Sequence, residues 1–394
     1  MVNPDKQGTT RRMDPLLLFA ALILVGLGII MVYSASFVIA GQRFGDPYHF
    51  LKKQAVAAGL GISLLFLAAR IDYHRWRILA VPLLLLSGFL LLLLILPGIR
   101  HQIGGSTRWL RFSFFSFQPA ELAKLALVIY MARSLTKKED KMESFTHGFL
   151  PHVVVFLVLF LLVLKQPDFG TGLVFGMIVF VLLFLSGTRL LFLSTALLAE
   201  IPALFFVLTQ ASYRYKRWLA FLDPWSDPGN TGFQIIQSFL AFGAGKLFGV
   251  GLGEGRQKLF YLPEIHTDFI LSVIGEELGL IGVTVVLVLF FVLVLRAFQA
   301  SLRAPDLFGT YLAVGIAVLM AVQTLLNMGV ALGLLPTKGS TLPFISYGGT
   351  SLIVNLLAVG ILLNILSQGG KKIDEDHDRG RRYWRAPLSG SRHR

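Results

Sequence analysis

Ten stretches of mostly apolar residues, each long enough to cross a bilayer as a helix, recur along this chain of 394 residues. About 20 apolar residues in an α-helix match the thickness of the hydrocarbon core of a membrane. With 55% hydrophobic residues and a mean hydropathy of +0.70, the chain is too apolar for a soluble protein. The sequence therefore predicts an all-α integral membrane protein with about ten transmembrane helices, at residues 15–40, 50–69, 78–97, 118–135, 149–165, 171–187, 189–210, 268–296, 307–332 and 349–367.

The distribution of Lys and Arg predicts the orientation. If the N-terminus is inside, the cytoplasmic segments carry 21 of these residues and the short outer loops carry eight. Cytoplasmic segments are enriched in Lys and Arg, so both termini are expected in the cytoplasm. The chain then consists of a cytoplasmic tail (1–14), a membrane domain (15–367) and a basic cytoplasmic tail (368–394), with a large extracytoplasmic loop at about 211–267 between helices 7 and 8.

Composition excludes several other classes of protein. The chain has no cysteine, which excludes disulfides and thiolate metal sites, and its eight histidines show no metal-ligand spacing. The net charge is +14, but the bases are spread over many loops and the tail, so no nucleic-acid partner is expected. The first apolar run is too long and too lightly flanked for a cleaved signal peptide and is interpreted as a signal anchor.

The stretch from Tyr261 to Gly279 joins a long polar loop to the eighth apolar run, with Asp268 at the junction. A carboxylate in the first turn of a helix meets the positive end of the helix dipole, which favours its ionised form. At the lipid–water boundary, it could reach the head group of a lipid substrate. Glu276 and Glu277 follow about 12–13.5 Å deeper, where acids are costly unless they face protein or water. The alternative is that Asp268 only caps the helix and the glutamates pair with buried bases.

Two other polar pairs lie at the starts of predicted helices. Pro119 opens the fourth run, and Glu121 and Lys124 follow at i and i+3 on one helix face. Such a pair is either purely structural, each charge neutralising the other, or part of a polar cavity, and the spacing alone does not decide. Asp168 and Thr171 are predicted to cap the sixth helix.

The outer segments contain bases and glycines. Arg214 and Arg217 lie beside aromatic residues and either bind a phosphate or pyrophosphate head group or anchor the loop at the interface. The sequence GLGEG at 251–255 lacks both the ending and the βαβ context of a phosphate-binding loop, so close backbone packing or turns explain its glycines better. The segment 334–351, which contains Lys338, is broken by glycine and proline, and a membrane tolerates this only when the segment is buried in protein or lines a cavity.

Six motifs carry a family resemblance: GGSTRWL, FQPAELAKLAL, QPDFGT, RWLAFLDPW, QKLFYLPEIHTDFILSVIGEELG and LLPTKGSTLPFISYGGTS. In this combination the chain resembles the SEDS family of shape, elongation, division and sporulation proteins, from about residue 14 to residue 368. The Lys338-Gly339 pair in LPTKG is more similar to the division branch than to the elongation branch. The chain departs from the pattern at Ser116, where some members of the family carry a base.

The resemblance implies a ten-helix glycosyltransferase of the bacterial inner membrane. Its substrate would be lipid II, the undecaprenyl-pyrophosphate-linked disaccharide-pentapeptide, which it would polymerise into glycan strands at the outer face, during septum formation. The resemblance also implies that Asp268 is the essential acid and that Trp109 is important. Because the donor sugar is α-linked and the product β-linked, one in-line inversion needs one general base, for which Asp268 is the candidate.

Further expectations follow from the same resemblance. The expected substrate-binding residues are Trp109, Glu121, Lys124, Arg214, Arg217, Lys338 and Ser346. The leaving pyrophosphate needs positive charge, which Lys338, Arg214, Arg217 or a substrate-bound Mg²⁺ or Mn²⁺ ion would supply, without a metal site in the protein itself. A class B penicillin-binding protein, which is a transpeptidase, and other division proteins are the expected partners.

Two other classes of function also fit many helices with charges inside the membrane. A lipid II flippase or another transporter would use such charges for transport, although the sequence shows no internal repeat. A non-catalytic scaffold would instead recruit the class B penicillin-binding protein. Turnover of lipid II by purified protein in detergent separates catalysis from transport, because transport needs two compartments.

Overall fold

The computed structural model describes residues 13–96, 107–111, 116–209, 212–257, 266–337, 339 and 341–384, without the side chains of 111, 200–209, 212–216 and 370–384. The helices of this part of the chain are α1 (Pro15–Phe44), α2 (His49–Arg70), α3 (His74–Leu93), α4 (Pro119–Lys137), α5 (Leu150–Lys165), α6 (Phe169–Leu185), α7 (Leu190–Thr209), α8 (Ser212–Leu222), α9 (Phe233–Gly245), α10 (Ile270–Arg303), α11 (Leu307–Ala331) and α12 (Gly349–Trp384). Two short antiparallel strands, β1 (Leu110–Arg111) and β2 (Ser116–Phe117), precede α4.

The predicted all-α membrane architecture is confirmed, because each of the ten apolar runs falls on a helix, α1 to α7 or α10 to α12. Among the described residues, seven helices are long and apolar enough to cross a membrane. The other three runs form α4, α6 and α7. The charged residues Glu121 and Lys124 lower the hydropathy of α4, but both are buried against other parts of the protein, so this helix need not be apolar.

The centre of the domain is α11, which is buried along most of its length. Close helix approaches are made at small residues: a Cβ on Gly315 of α11 would lie 2.5 Å from Cγ1 of Val128 on α4. The outer helices show the opposite pattern, with large apolar side chains such as Ile78 and Leu85 of α3 exposed, as expected for a lipid-facing surface. Polar side chains on α11 and α4 are therefore enclosed by protein rather than by lipid.

α10 is broken at Gly279, whose backbone has φ 67° and ψ −165°. Such a positive φ favours glycine. The break leaves backbone amides and carbonyls of α10 without their usual partners within the helix. The glycine-rich turn (residues 246–257) after α9 forms hydrogen bonds with them. The amides of Val250 and Gly251 donate to the carbonyls of residues 276 and 277 at 2.9 and 3.1 Å. In return, the amides of residues 280 and 281 donate to the carbonyls of residues 246 and 247 at 2.9 and 3.2 Å.

This pairing requires close approach of the backbones at Gly245 and Gly249. A Cβ on Gly245 would collide with the carbonyl oxygen of Gly275, and a Cβ on Gly249 would collide with that of Glu277. It also brings part of the large loop to the level of the break in α10, nine residues beyond Ile270 and thus about 13 Å along the helix axis. The side chain of Phe248 in this turn is 80% exposed, while the backbone of the turn is paired with α10.

The segment before α12 is also drawn into the protein. Leu342, Phe344 and Ile345 are buried, and a Cβ on Gly28 of α1 would lie 2.7 Å from the Cα of Ile345. Phe344 has a φ of 65°, an uncommon value for a residue with a side chain. Of the two predicted environments for the broken segment 334–351, burial in protein holds for residues 342–346 and 348, whereas residues 334 and 339 are exposed.

Candidate active site

Asp268 lies in the turn 266–269, immediately before the first residue of α10. The N-cap of α10 is Phe269. Asp268 lies one residue before this position and is therefore not the N-cap. Asn327 of α11 donates an Nδ2–H to the backbone oxygen of Asp268 at 3.0 Å, which ties the turn to the centre of the domain. Asp268 itself is only partly buried, so its side chain is not sealed from a substrate.

The guanidinium of Arg108 lies close to Asp268, with Gly339 between them. A Cβ placed on Gly339 would lie 2.9 Å from Nη1 of Arg108 and 3.5 Å from Oδ2 of Asp268. Both charged atoms therefore face one small space, which we call the Asp268–Arg108 gap. Because residue 339 has no side chain, it places no atoms of its own in this space.

Arg108 is anchored on its other side by the start of α6. Its Nη2 donates to the backbone oxygen of Pro167, and its Nε lies 3.8 Å from Oδ2 of Asp168. Asp168 accepts hydrogen bonds from both the amide and the hydroxyl of Thr171, at 3.2 and 2.8 Å, so the predicted cap of the sixth helix is confirmed. The cap fixes the carboxylate, and the carboxylate in turn helps to orient the guanidinium.

Ser346 holds the turn around Asp268 in place. Its hydroxyl donates to the backbone oxygen of Thr267 and accepts from the amide of Leu342 at 2.8 Å. The amide of Tyr347 donates to the backbone oxygen of His266 at 2.8 Å. Since the Ser346 side chain is buried and engaged on both sides, the structure places it as a support for Asp268.

Glu121 and Lys124 form a buried ion pair. Nζ of Lys124 lies 2.8 Å from Oε1 of Glu121, and the two side chains are 5% and 6% exposed. Within the described part of the chain, Oε2 of Glu121, Oε1 of Gln323 on α11 and Oδ1 of Asn355 on α12 have no hydrogen-bond partner. The pair forms as the i and i+3 spacing predicts, and each charge neutralises the other.

The remaining candidates lie around the 334–341 segment. Arg217 of α8 donates from Nη1 to the backbone oxygen of Thr337 at 3.2 Å. Arg214 lies one turn earlier on α8, and its side chain is outside the described set. Trp109 is partly buried and directly follows Arg108. Lys338 lies outside the described residues.

Glu276 and Glu277 bind the glycine-rich turn and α1. Oε1 and Oε2 of Glu276 accept hydrogen bonds from the backbone amides of Arg256 and Gln257 at 2.8 and 3.3 Å. Glu277 accepts from the hydroxyl of Ser34 at 2.6 and 2.7 Å. Amides and a hydroxyl are thus among the partners of these two buried acids.

Sequence reasoning selected Asp268 and Trp109 but missed Arg108, Gly339 and Asn327. The available signals were the Arg-Trp dipeptide, which was used only for its tryptophan, and a lone Asn on an apolar helix. No group of three or more His, Asp or Glu in the described ranges could hold a metal ion.

The chain matches known proteins over most of its length. The family of FtsW, RodA and SpoVE, described as cell cycle proteins, matches residues 15–370. The chain is 54% identical to a probable peptidoglycan glycosyltransferase FtsW of Geobacter sulfurreducens, covering 90% of this chain and 95% of that protein. It is 44% identical to the stage V sporulation protein E of Bacillus subtilis, covering 91% and 98%.

Two solved structures support the same assignment. The rod shape determining protein RodA of Thermus thermophilus is 31% identical with a TM-score of 0.66, covering 90% of this chain and 97% of that one. A chain of a peptidoglycan synthase complex, described in terms of coordinated polymerization and crosslinking, is 33% identical with a TM-score of 0.72, covering 91% and 98%. Sequence and fold agree over the whole membrane domain, and the chain belongs to the FtsW, RodA and SpoVE family of cell cycle proteins.

Proposed function

We propose that this peptidoglycan glycosyltransferase of septal cell-wall synthesis polymerises lipid II at the outer face of the membrane with Asp268 as its general base. The observation that carries the proposal is the Asp268–Arg108 gap. A carboxylate oxygen and a guanidinium nitrogen lie within 3.5 Å of one point at the outer end of a membrane helix. A glycosyl transfer from a diphosphate needs both signs of charge at one place, a base for the acceptor and a cation for the leaving group.

The reaction is a single displacement at the anomeric carbon. The 4-hydroxyl oxygen of the acceptor sugar forms a bond to C1 of the donor while the bond between C1 and the pyrophosphate oxygen breaks. Asp268 takes the hydroxyl proton, and undecaprenyl pyrophosphate leaves with the electron pair. Inversion turns the α-linked donor into a β-linked product. The turn that carries Asp268 is held by Asn327 and Ser346, so the base does not need to be ordered during the reaction.

Several cations are available to the leaving group in this proposal. Arg217 reaches the backbone of Thr337, next to Lys338, so the basic face of α8 adjoins the segment that carries Gly339. Arg214, three residues before Arg217, falls on the same face of α8. Lys124 is neutralised by Glu121 and is better suited to shaping a polar cavity. A Mg²⁺ or Mn²⁺ ion that arrives on the diphosphate would add to the same charge.

The proposed partner is a class B penicillin-binding protein, together with other division proteins. The structural relative from a peptidoglycan synthase complex supports a partner of this kind. Such a transpeptidase would crosslink the strands that this chain polymerises. Pull-down of a class B penicillin-binding protein by the full-length chain tests the pairing.

Polymerisation of lipid II by the purified full-length protein in detergent micelles tests the enzymatic proposal. We expect glycan strands on a gel and release of undecaprenyl pyrophosphate, with and without added Mg²⁺. A flippase only moves lipid II between two compartments, and micelles do not provide them. A scaffold catalyses no reaction. Neither protein would therefore yield polymer. Protein that binds lipid II in this assay but never extends it would contradict the proposal.

We also expect both termini in the cytoplasm, because 21 Lys and Arg fall on the segments that this orientation places inside and eight on the short outer loops. A reporter fused after Gly370 should report the cytoplasm, and one inserted in the exposed turn at Gly229 should report the outer compartment. The opposite pattern would place Asp268 on the wrong side for an extracellular glycan.

A further inference from the structure

We propose that Arg108 binds the diphosphate of the donor lipid and stabilises the charge that develops on it as it leaves. This inference rests on the function proposed above. It names Arg108 as the residue that binds the leaving diphosphate. Arg108 is 19% exposed, so it is mostly enclosed by protein and yet reachable from the site.

The contacts of Arg108 leave part of its guanidinium available. One edge is tied to the N-terminus of α6 through the backbone oxygen of Pro167 and the carboxylate of Asp168. Nη1 instead faces the position of the missing Cβ of Gly339. A guanidinium has five N–H donors in a rigid fork, which suits the oxygens of a phosphate. Because one edge of the guanidinium is already fixed, binding a phosphate at the other edge costs little further conformational entropy of the side chain.

A purely structural Arg108 is the competing explanation, in which it ties the segment before β1 to α6. Two observations favour a ligand. The tie to α6 is made by Nη2 with the backbone oxygen of Pro167 and by Nε at 3.8 Å from Asp168, so Nη1 is not needed for that tie. Residue 339 is glycine, and any side chain there would enter the Asp268–Arg108 gap. A structural tie to α6 would not need that gap to stay open.

The position also fits the charge changes of the reaction. As the bond from C1 to the diphosphate oxygen breaks, that oxygen gains negative charge, while the acceptor proton moves to Asp268. A cation that is already fixed beside this site stabilises the transition state more than the ground state. Asp168 is itself fixed by the cap of α6, so the guanidinium does not have to reorient when the charge appears.

Direct binding of prenyl phosphates tests the inference independently of turnover. Purified full-length protein in detergent is titrated with radiolabelled undecaprenyl pyrophosphate and with undecaprenyl monophosphate. We expect the wild type to prefer the pyrophosphate and Arg108→Gln to lose at least about tenfold of that preference, because a charge-assisted bidentate contact is removed. Arg43→Gln, which removes an exposed arginine at the end of α1, should bind both lipids as the wild type does.

Polymerisation by the same variants completes the test. We expect Arg108→Gln to lower kcat by about 10²–10³-fold, the usual effect of losing one fixed donor to a developing anion, with a melting temperature close to that of the wild type. Arg108→Lys should recover only part of the rate, because an ammonium cannot hold the Pro167 oxygen and reach the gap together. An unchanged preference for the pyrophosphate in a folded Arg108→Gln variant overturns the inference, whether or not the wild type polymerises lipid II.

Gly339→Ala provides a second variant in case Arg108→Gln is unstable. Its methyl group would meet Nη1 of Arg108 at 2.9 Å, and the end of a flexible side chain can shift, so the fold should persist. We expect it to reduce the preference for pyrophosphate by displacing the guanidinium. Wild-type preference in both Gly339→Ala and Arg108→Lys would also overturn the role of Arg108.

Discussion

Changing Asp268 to Asn is expected to abolish polymerisation of lipid II and to leave the fold intact. Asn keeps the shape of the side chain, and the hydrogen bond from Asn327 reaches the backbone oxygen of residue 268, which the substitution does not alter. The N-cap of α10 is Phe269, so no cap is removed. What is lost is a group that can accept the acceptor proton, and loss of a general base lowers rates by about 10²–10⁴-fold.

The measurement is the initial rate of polymer formation together with the thermal unfolding temperature of the purified variant. Glu254→Gln, which changes an exposed acid in the glycine-rich turn, is a matched control and should keep both values. Binding of undecaprenyl pyrophosphate should persist in Asp268→Asn, because Arg108 remains. Polymer formed at the wild-type rate by this variant would remove Asp268 from the proton transfer.

The sequence predicted what depends on local spacing. Runs of apolar residues predicted the helices, since crossing a bilayer needs a fixed number of residues. The three-residue spacing of Glu121 and Lys124 predicted an ion pair, which the structure has at 2.8 Å. Asp168 and Thr171 were likewise identified as a cap. Each of these features is decided within a turn or two of one helix.

The features that the sequence did not predict depend on contacts between distant segments. Arg108, Asp168, Asp268 and Gly339 meet only because four separate connections converge at one end of the helical domain. The glutamates of α10 gave a similar difficulty. Their contacts include Ser34 on α1 and amides of the glycine-rich turn, which no local pattern predicts. A buried carboxylate needs hydrogen-bond donors, but the presence of a glutamate in the sequence does not show which groups donate to it.

The break in α10 is the structural feature on which the position of the large loop depends most. Four backbone hydrogen bonds join residues 246, 247, 250 and 251 to residues 276, 277, 280 and 281 across the break. Each needs the two backbones to approach closely, and glycines at 245 and 249 permit this. Two carboxylates add to the contact, since a Cβ on Gly255 would lie 2.9 Å from Oε2 of Glu276 and 3.0 Å from Oε1 of Glu277.

Gly245→Ala is therefore expected to destabilise the protein strongly, whereas Gly243→Ala on the same helix is not. A Cβ at 245 would collide with the carbonyl oxygen of Gly275 and lie 2.9 Å from that of Glu276, and backbone on both sides cannot move aside cheaply. A Cβ at 243 meets nothing within 4 Å. Overpacking costs about 1–3 kcal/mol, and backbone groups left unpaired add about 1–3 kcal/mol each.

Thermal unfolding of both purified variants in the same detergent measures the difference. Gly243→Ala should match or slightly exceed the wild type, because Ala favours a helix over Gly by about 1 kcal/mol. Gly245→Ala should unfold well below it and also lose polymerisation, since the glycine-rich turn leads by way of residues 258–265 to Asp268. Equal unfolding temperatures for the two variants would mean that α9 and α10 do not approach as closely as the four cross-break hydrogen bonds require.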